Sequence, residues 1–151
     1  MHQKYPDCII ANRSLRLKLI DKKSKIKPLP TAYSYWGKYK TPSFFNSIIG
    51  CGGVLYPPNS FNEEVFNINQ FKKLIPTQDD VWFWSMAVLN NTKLKTGEGF
   101  KSNLINVEDT QQYGLCKINK KSAKGISDRE AFSLLAAKYP KIIENMDKEN
   151  R

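Results

Sequence analysis

The spacing of apolar positions changes several times along the chain, and each change marks an element. Asp7-Cys8-Ile9-Ile10-Ala11 is a short apolar run with β-branched residues, which reads as a buried parallel strand. Ser14-Leu15-Arg16-Leu17-Lys18-Leu19 then alternates apolar and basic residues, the period of a half-exposed strand. From Asp21 to Pro42 the pattern breaks. Pro28, Pro30 and Pro42 argue against regular structure there, so this stretch is expected to be a long connection with Tyr33, Tyr35, Trp36 and Tyr39 at its centre. Ser47-Ile48-Ile49 leads into Gly50, Gly52 and Gly53, and Val54-Leu55-Tyr56 leads out to Pro57-Pro58, which stops any strand. Phe61, Val65, Phe66, Ile68, Phe71 and Leu74 have the mixed three-to-four spacing of a short helix or a pair of turns, closed by Pro76.

Val81 to Leu89 is apolar almost all round, so this helix is expected to be buried on every side, with Asn90-Asn91 ending it. Strand-like pieces follow at 92–95 and 104–107. Ser127-Asp128-Arg129-Glu130 has the form of a capping box and opens an amphipathic helix that runs to Tyr139. No internal repeat or low-complexity segment interrupts this order.

With 151 residues, 40% of them hydrophobic and 12% aromatic, the chain is expected to build one globular domain over 1–151 around one core. No apolar run is long enough to cross a bilayer, and the first residues lack the apolar core of a signal peptide, so a cytoplasmic location is expected. The net charge of +10 is uneven: +8 over residues 1–40, −2 over 41–116 and +4 over 117–151. Basic ends of this kind suit nucleic acid, an anionic membrane surface or diphosphate-bearing ligands, and also suit plain solvated loops at Lys22-Lys23-Ser24-Lys25 and Lys120-Lys121. Cys8, Cys51 and Cys116 are odd in number and have no Cys-x-x-Cys spacing, which argues against a disulfide framework and a zinc site. Reduced thiols are expected, with Cys8 and Cys51 in apolar contexts that suit burial. His2 is the single histidine and lies at the start of the chain, so neither a Ser/His/Asp triad nor a Cys/His dyad can be assembled around it.

Two segments carry the candidate chemistry. Asp79-Asp80 stands at the entry of the aromatic helix, where a carboxylate can serve as a general base and the helix dipole favours its ionised form. The same residues also suit capping, with Thr77 or Asp79 as the N-cap and Asp80 in the first turn. Gly50, Gly52 and Gly53 remove side chains where backbone must approach something closely or take a positive φ, and the Val-Leu-Tyr that follows excludes a P-loop. Trp82, Trp84, Tyr56 and Trp36 could stack on sugar faces or fill a core.

Taken together, Gly50-Cys51-Gly52-Gly53-Val54-Leu55-Tyr56-Pro57-Pro58 and Thr77-Gln78-Asp79-Asp80-Val81-Trp82-Phe83-Trp84 resemble the acceptor-side half of a GT-A glycosyltransferase, close to the family 2 type of bacterial enzymes that build surface polysaccharide. The resemblance extends from about Tyr5 to about Tyr139. It includes Cys8-Ile9-Ile10-Ala11-Asn12-Arg13, Tyr33-Ser34-Tyr35-Trp36, Gly114-Leu115-Cys116-Lys117-Ile118-Asn119 and Ser127-Asp128. It implies an α/β fold, part of a GT-A-like mixed sheet flanked by helices. It further implies an inverting transfer from a nucleotide-sugar donor to a saccharide or lipid-linked saccharide acceptor, with Asp80 as general base beside Asp79. Gly52, Gly53, Tyr56, Trp82 and Trp36 would then contact substrate.

The family's nucleotide-binding βαβ units and its Asp-x-Asp motif have no counterpart in this sequence, where the single Asp-Asp pair already fills the base position. The resemblance therefore implies a C-terminal half, inactive alone. The divalent metal (Mn or Mg) would belong to the complete enzyme and the N-terminal half to another polypeptide or to the rest of a longer one. Peripheral contact with the inner face of an anionic membrane fits the basic ends. A basic nucleic-acid-binding module is the alternative from another class, and an inactive scaffolding remnant is a third. Against the nucleic-acid module, the aromatic positions cluster with glycines and acids rather than with the lysine runs, and no helix-turn-helix, OB or RRM signature is present.

Overall fold

The computed structural model of the chain describes residues 1–20, 25–34, 41–97, 107–114, 119 and 125–150. Its regular elements are β1 (Ile9–Ala11), β2 (Ser14–Leu19), β3 (Ile26–Ser34), β4 (Asn46–Ile48), β5 (Val54–Leu55), α1 (Ile68–Leu74), α2 (Asp79–Leu89), β6 (Leu94–Thr96), α3 (Asp128–Lys138) and α4 (Lys141–Glu149). The protein is thus mixed α/β. One small sheet has the order β5-β1-β6, with β1 antiparallel to β5 and parallel to β6. The other has the order β3-β2-β4 and is antiparallel throughout. A hydroxyl pair, Ser14 Oγ to Thr96 Oγ1 at 2.7 Å, ties the two sheets together, and Ser43 bridges to Leu94 just before β4 begins.

The apolar run at 7–11 forms β1, with Ile9 and Ala11 fully buried and a parallel neighbour as expected. The alternating run forms β2. Residues 26–34, expected to be irregular, instead form the outer strand β3. Proline is tolerated in a sheet at edges and irregularities because a missing N–H there breaks no ladder. Pro28 meets both conditions: β3 is flanked on one side only by β2, and the register shifts between Leu15 and Leu17, where Pro28 pairs. Tyr35, Trp36 and Tyr39 lie outside the described residues, as does most of the expected strand at 104–107; Val107 is not in a strand.

The stretch 61–74 becomes a 3₁₀ turn, Glu63–Phe66, followed by α1, each begun by an asparagine whose side chain accepts a backbone N–H. Helix α2 is buried on nearly every side, as its composition requires. Trp84, fully enclosed, sets its Nε1–H on the Phe44 carbonyl at 3.0 Å and meets the Phe132 ring edge-on at 5.0 Å, so α2, the entry to β4 and α3 share one contact. Helix α3 carries the capping box: Ser127 Oγ accepts from the Glu130 N–H, and Glu130 Oε2 accepts from the Ser127 N–H at 3.0 Å.

Helix α4 adds a fourth helix that the sequence reading did not anticipate. Its Ile142, Ile143 and Met146 are buried, and Asn145 Nδ2 donates to the Val88 carbonyl at 2.8 Å. At its end Glu149 accepts from Ser43 Oγ and from the Phe44 N–H at 3.1 Å, and pairs with Lys93 at 3.3 Å, which fastens the helix beside α2. Among the described residues, no helix is long and apolar enough to cross a membrane.

Candidate functional site

A cavity of about 660 Å³ opens where sheet β3-β2-β4 faces the first turns of α2 and α3. Its floor is apolar, with Leu15, Pro28 and Ile48 from the sheet and Val81 and Phe132 from the helices. Its rim is polar. Thr77, Gln78, Asp79, Asp80, Asn119, Asp128 and Arg129 all reach it, together with Gly50 and Cys51 from the glycine turn. Two helix N-termini converge there, and their partial positive charge partly offsets three carboxylates placed close together.

The glycine turn and the carboxylate pair, 30 residues apart, do meet. Asp80 Oδ2 accepts the Gly50 N–H at 2.9 Å. This is not a capping bond, since the N-cap of α2 is Gln78, with no side-chain cap at all, and neither Thr77 nor Asp79 takes that role. Thr77 instead bonds Asn119 at 2.6 Å, while Gln78 Nε2 reaches across to Asp128 Oδ1 at 3.0 Å and the Ile126 carbonyl at 2.8 Å, locking the starts of α2 and α3 together. Burial pushes the half-buried Asp80 carboxyl above its ordinary range. The Gly50 N–H opposes that rise, and the charges of Asp79 and Asp128 add to it.

Gly50 leaves room for this carboxylate: a Cβ there would lie 2.5 Å from Asp80 Oδ1. Gly50→Ala is therefore expected to turn the carboxylate aside and break its bond to the amide. Loss of a hydrogen bond to a charged group should cost about 1–3 kcal/mol. A thermal melt of Gly50→Ala checks this; an alanine variant as stable as the wild type would show that the turn accommodates a side chain.

The other expected substrate contacts are placed differently. Gly52 is buried away from the cavity lining, with the Arg13 stem across it; a Cβ there would lie 2.6 Å from Arg13 Cγ. The Gly52 carbonyl accepts from Asn12 Nδ2 at 3.1 Å. Gly53, with φ +88°, turns the chain into β5 outside the lining. Trp82 is also not a cavity residue: it is buried against Phe71 at 5.7 Å, its Nε1–H donating to the Val65 carbonyl at 3.2 Å. Tyr56 flanks the carboxylates without lining the cavity, its ring against Phe61 and Phe83, and its hydroxyl is pushed up to about 12 by burial and then by Asp80 and Asp79. Trp36 lies outside the described residues.

Cys8 and Cys51 are free thiols but are not buried as expected, and Cys116 lies outside the described residues. Cys51 is exposed, with Arg13 Nη1 donating to its Sγ at 3.2 Å, and Cys8 is half-exposed. Gly97 is buried and donates its N–H to the Ala11 carbonyl at 2.8 Å, extending the β1-β6 ladder.

Leu15, Ser47, Asn119, Arg129 and Phe132 were not singled out by sequence reasoning. Their convergence depends on strand register and on the docking of α3, neither of which leaves a local signal; the capping box marked where α3 begins and not that it borders a cavity. Among the described residues, no group of three or more His, Cys, Asp or Glu side chains is arranged to hold a metal ion. No family model, curated protein or solved structure matches the chain.

Proposed function

We propose that the chain is the acceptor-side half of a GT-A-like glycosyltransferase and that the cavity takes a saccharide or lipid-linked saccharide acceptor. The observation that carries this reading is the Asp80 carboxylate, half-buried at the rim, with one oxygen fixed by the Gly50 N–H. A base held in this way meets an acceptor hydroxyl without reorganising. In the reaction the hydroxyl oxygen bonds to the anomeric carbon of the donor, its proton passes to Asp80, and the bond from that carbon to the nucleotide diphosphate breaks. A carboxyl raised by burial is a stronger base once ionised, which suits this proton transfer. The apolar floor matches the C–H face of a sugar ring, and the polar rim matches its hydroxyls.

On this reading the sugar nucleotide and its divalent metal are held by a donor-side half outside this sequence. The three rim carboxylates are assigned on this reading to the acceptor side, where they face the cavity. The test is transfer. A GT-A donor-side half, supplied separately or fused, is combined with the chain, sugar nucleotides, Mn²⁺ and saccharide acceptors, and products are read by mass spectrometry. Absence of product across an acceptor panel would sink the reading.

A second expectation concerns the chain alone. Calorimetry with UDP- and GDP-sugars and Mn²⁺ is expected to show no binding heat, and micromolar metal-dependent binding would overturn the assignment of the donor pocket to another half.

A further inference from the structure

The β2-β3 hairpin sets two like charges face to face. Lys18 on β2 pairs directly with Lys27 on β3, and beyond the next pair, Leu19 with Ile26, the Ile20 N–H donates to the Lys25 carbonyl at 2.8 Å. Directly paired residues of antiparallel strands project from one face, as do residues two apart along a strand, so Lys18, Lys27, Ile20 and Lys25 share a face. The opposite face turns inward: Leu17 and Ile26 are buried in the core, and Leu15 and Pro28 line the cavity.

Lysines directly opposite each other weaken a strand pair. The fold does not relieve this repulsion, since neither Lys18 nor Lys27 meets an acid among the described residues. Arg16, two residues earlier on the same face of β2, differs: its guanidinium donates to Ser43 Oγ at 2.9 Å and to Asn46 Oδ1 at 2.8 Å. Lys18 and Lys25 are exposed, and Ile20 beside them is 44% exposed. In sequence, 18–27 holds five lysines against one acid, Asp21.

We infer that this face docks on an anionic phospholipid surface, its lysine ammonium groups against the lipid phosphates and Ile20 entering the boundary with the acyl chains. A charged bilayer interface attracts the cations through its surface potential and the aliphatic side chain through burial of apolar area. Lysine suits such a position because its long stem lies along the boundary while the ammonium stays with the headgroups. A single-stranded nucleic acid would instead call for aromatic rings among the cations, and these four side chains include none. The contact does not depend on what the cavity binds, because Leu15 and Pro28 face the cavity from the other side of the same strands.

The experiment is co-sedimentation of the full chain with vesicles of phosphatidylcholine alone and with vesicles in which about a third of the lipid is phosphatidylglycerol, across a salt series. The variants are Lys18→Gln with Lys27→Gln, Ile20→Ser and, to remove the same charge from an exposed surface elsewhere, Lys72→Gln with Lys73→Gln on α1. The wild type is expected to bind the anionic vesicles only, and less as salt rises. At about fivefold per lysine, the Lys18 and Lys27 double variant should lose about ten- to thirtyfold in binding, and the Lys72 and Lys73 control much less. Ile20→Ser should weaken binding by about three- to tenfold at every salt concentration. The Lys18 and Lys27 variant should also melt at or above the wild-type temperature, because a repulsion is relieved.

A wild-type chain that stays in solution with anionic vesicles would overturn the inference. Equal losses in the two double variants would overturn it as well, since binding would then follow the net charge of +10 and not this face. The same holds for an Ile20→Ser chain that binds as tightly as the wild type, and for a clear fall in the melting temperature of the Lys18 and Lys27 variant, which would assign the pair to the fold. If the lysine pair instead governs a salt-dependent shift of a single-stranded oligonucleotide while vesicles go unbound, the partner is a nucleic acid and the lipid assignment falls.

Discussion

Asp80→Asn is expected to keep the fold and to melt higher than the wild type at neutral pH, while transfer by the assembled enzyme falls by about 10²–10⁴. The two effects have one origin. Burial, opposed by the Gly50 N–H and reinforced by Asp79 and Asp128, raises the Asp80 carboxyl in the folded chain above its value in the unfolded one. Between those two values the folded state binds more protons than the unfolded state, so this group's contribution to stability declines as pH rises through the window and stays low above it. Asparagine removes that pH dependence and still offers an oxygen to the Gly50 N–H. The difference in melting temperature between variant and wild type should therefore be small at acid pH, grow as pH rises from the ordinary carboxylate range through the raised value, and then level off. The amide cannot take a proton, and that is where the rate is lost. A difference of the opposite sign at neutral pH would mean that the ionised carboxylate holds the turn together and that its role is structural. Near-normal transfer by Asp80→Asn with a dead Asp79→Asn would move the base to Asp79.

The meeting of the glycine turn with Asp79-Asp80 was implied by the resemblance alone, whereas a glycine-rich strand exit at Gly50 to Gly53 and a helix entry at Asp79-Asp80 are each marked locally and by residue type. Helix α3 was legible for the same reason: Ser127 and Glu130 satisfy each other within one turn. What escaped depends on pairing between distant segments. Pro28 reads as a strand breaker until β3 is known to be an outer strand, and Ser47 reads as an ordinary polar position until its pairing with Leu15 places it in the interior. Periodicity could not separate Trp82 from a ligand-facing ring, since α2 is enclosed nearly all round and no stripe marks the side near the cavity. Helix α4 was missed although Ile142, Ile143 and Met146 have helical spacing. Much of the rest of its sequence is charged or amide-bearing, and its place is fixed by contacts of Asn145 and Glu149 with elements far earlier in the chain.

Trp84→Ala should produce the largest loss of stability of any single change near the site, about 3–5 kcal/mol as for other large-to-small aromatic replacements in a core. The residue is fully enclosed, donates to the Phe44 carbonyl at 3.0 Å and packs edge-on against Phe132 at 5.0 Å. Its removal would leave a void between α2 and α3 and an unpaired buried carbonyl on the approach to β4, so packing and hydrogen bonding fail together. Against a total stability of about 5–15 kcal/mol, this is a large share. The cavity should suffer first, because Phe132 lines it directly and Val81 stands one turn earlier than Trp84 on α2. Trp84→Phe keeps most of the ring volume and gives up the indole N–H, so it should fall between the wild type and the alanine variant. Urea unfolding of the three proteins, followed by tryptophan fluorescence and far-ultraviolet circular dichroism, measures the order. A Trp84→Ala protein that unfolds at the wild-type midpoint would show that α2 and α3 are held on the sheet by other contacts, and that the walls of the cavity do not depend on this ring.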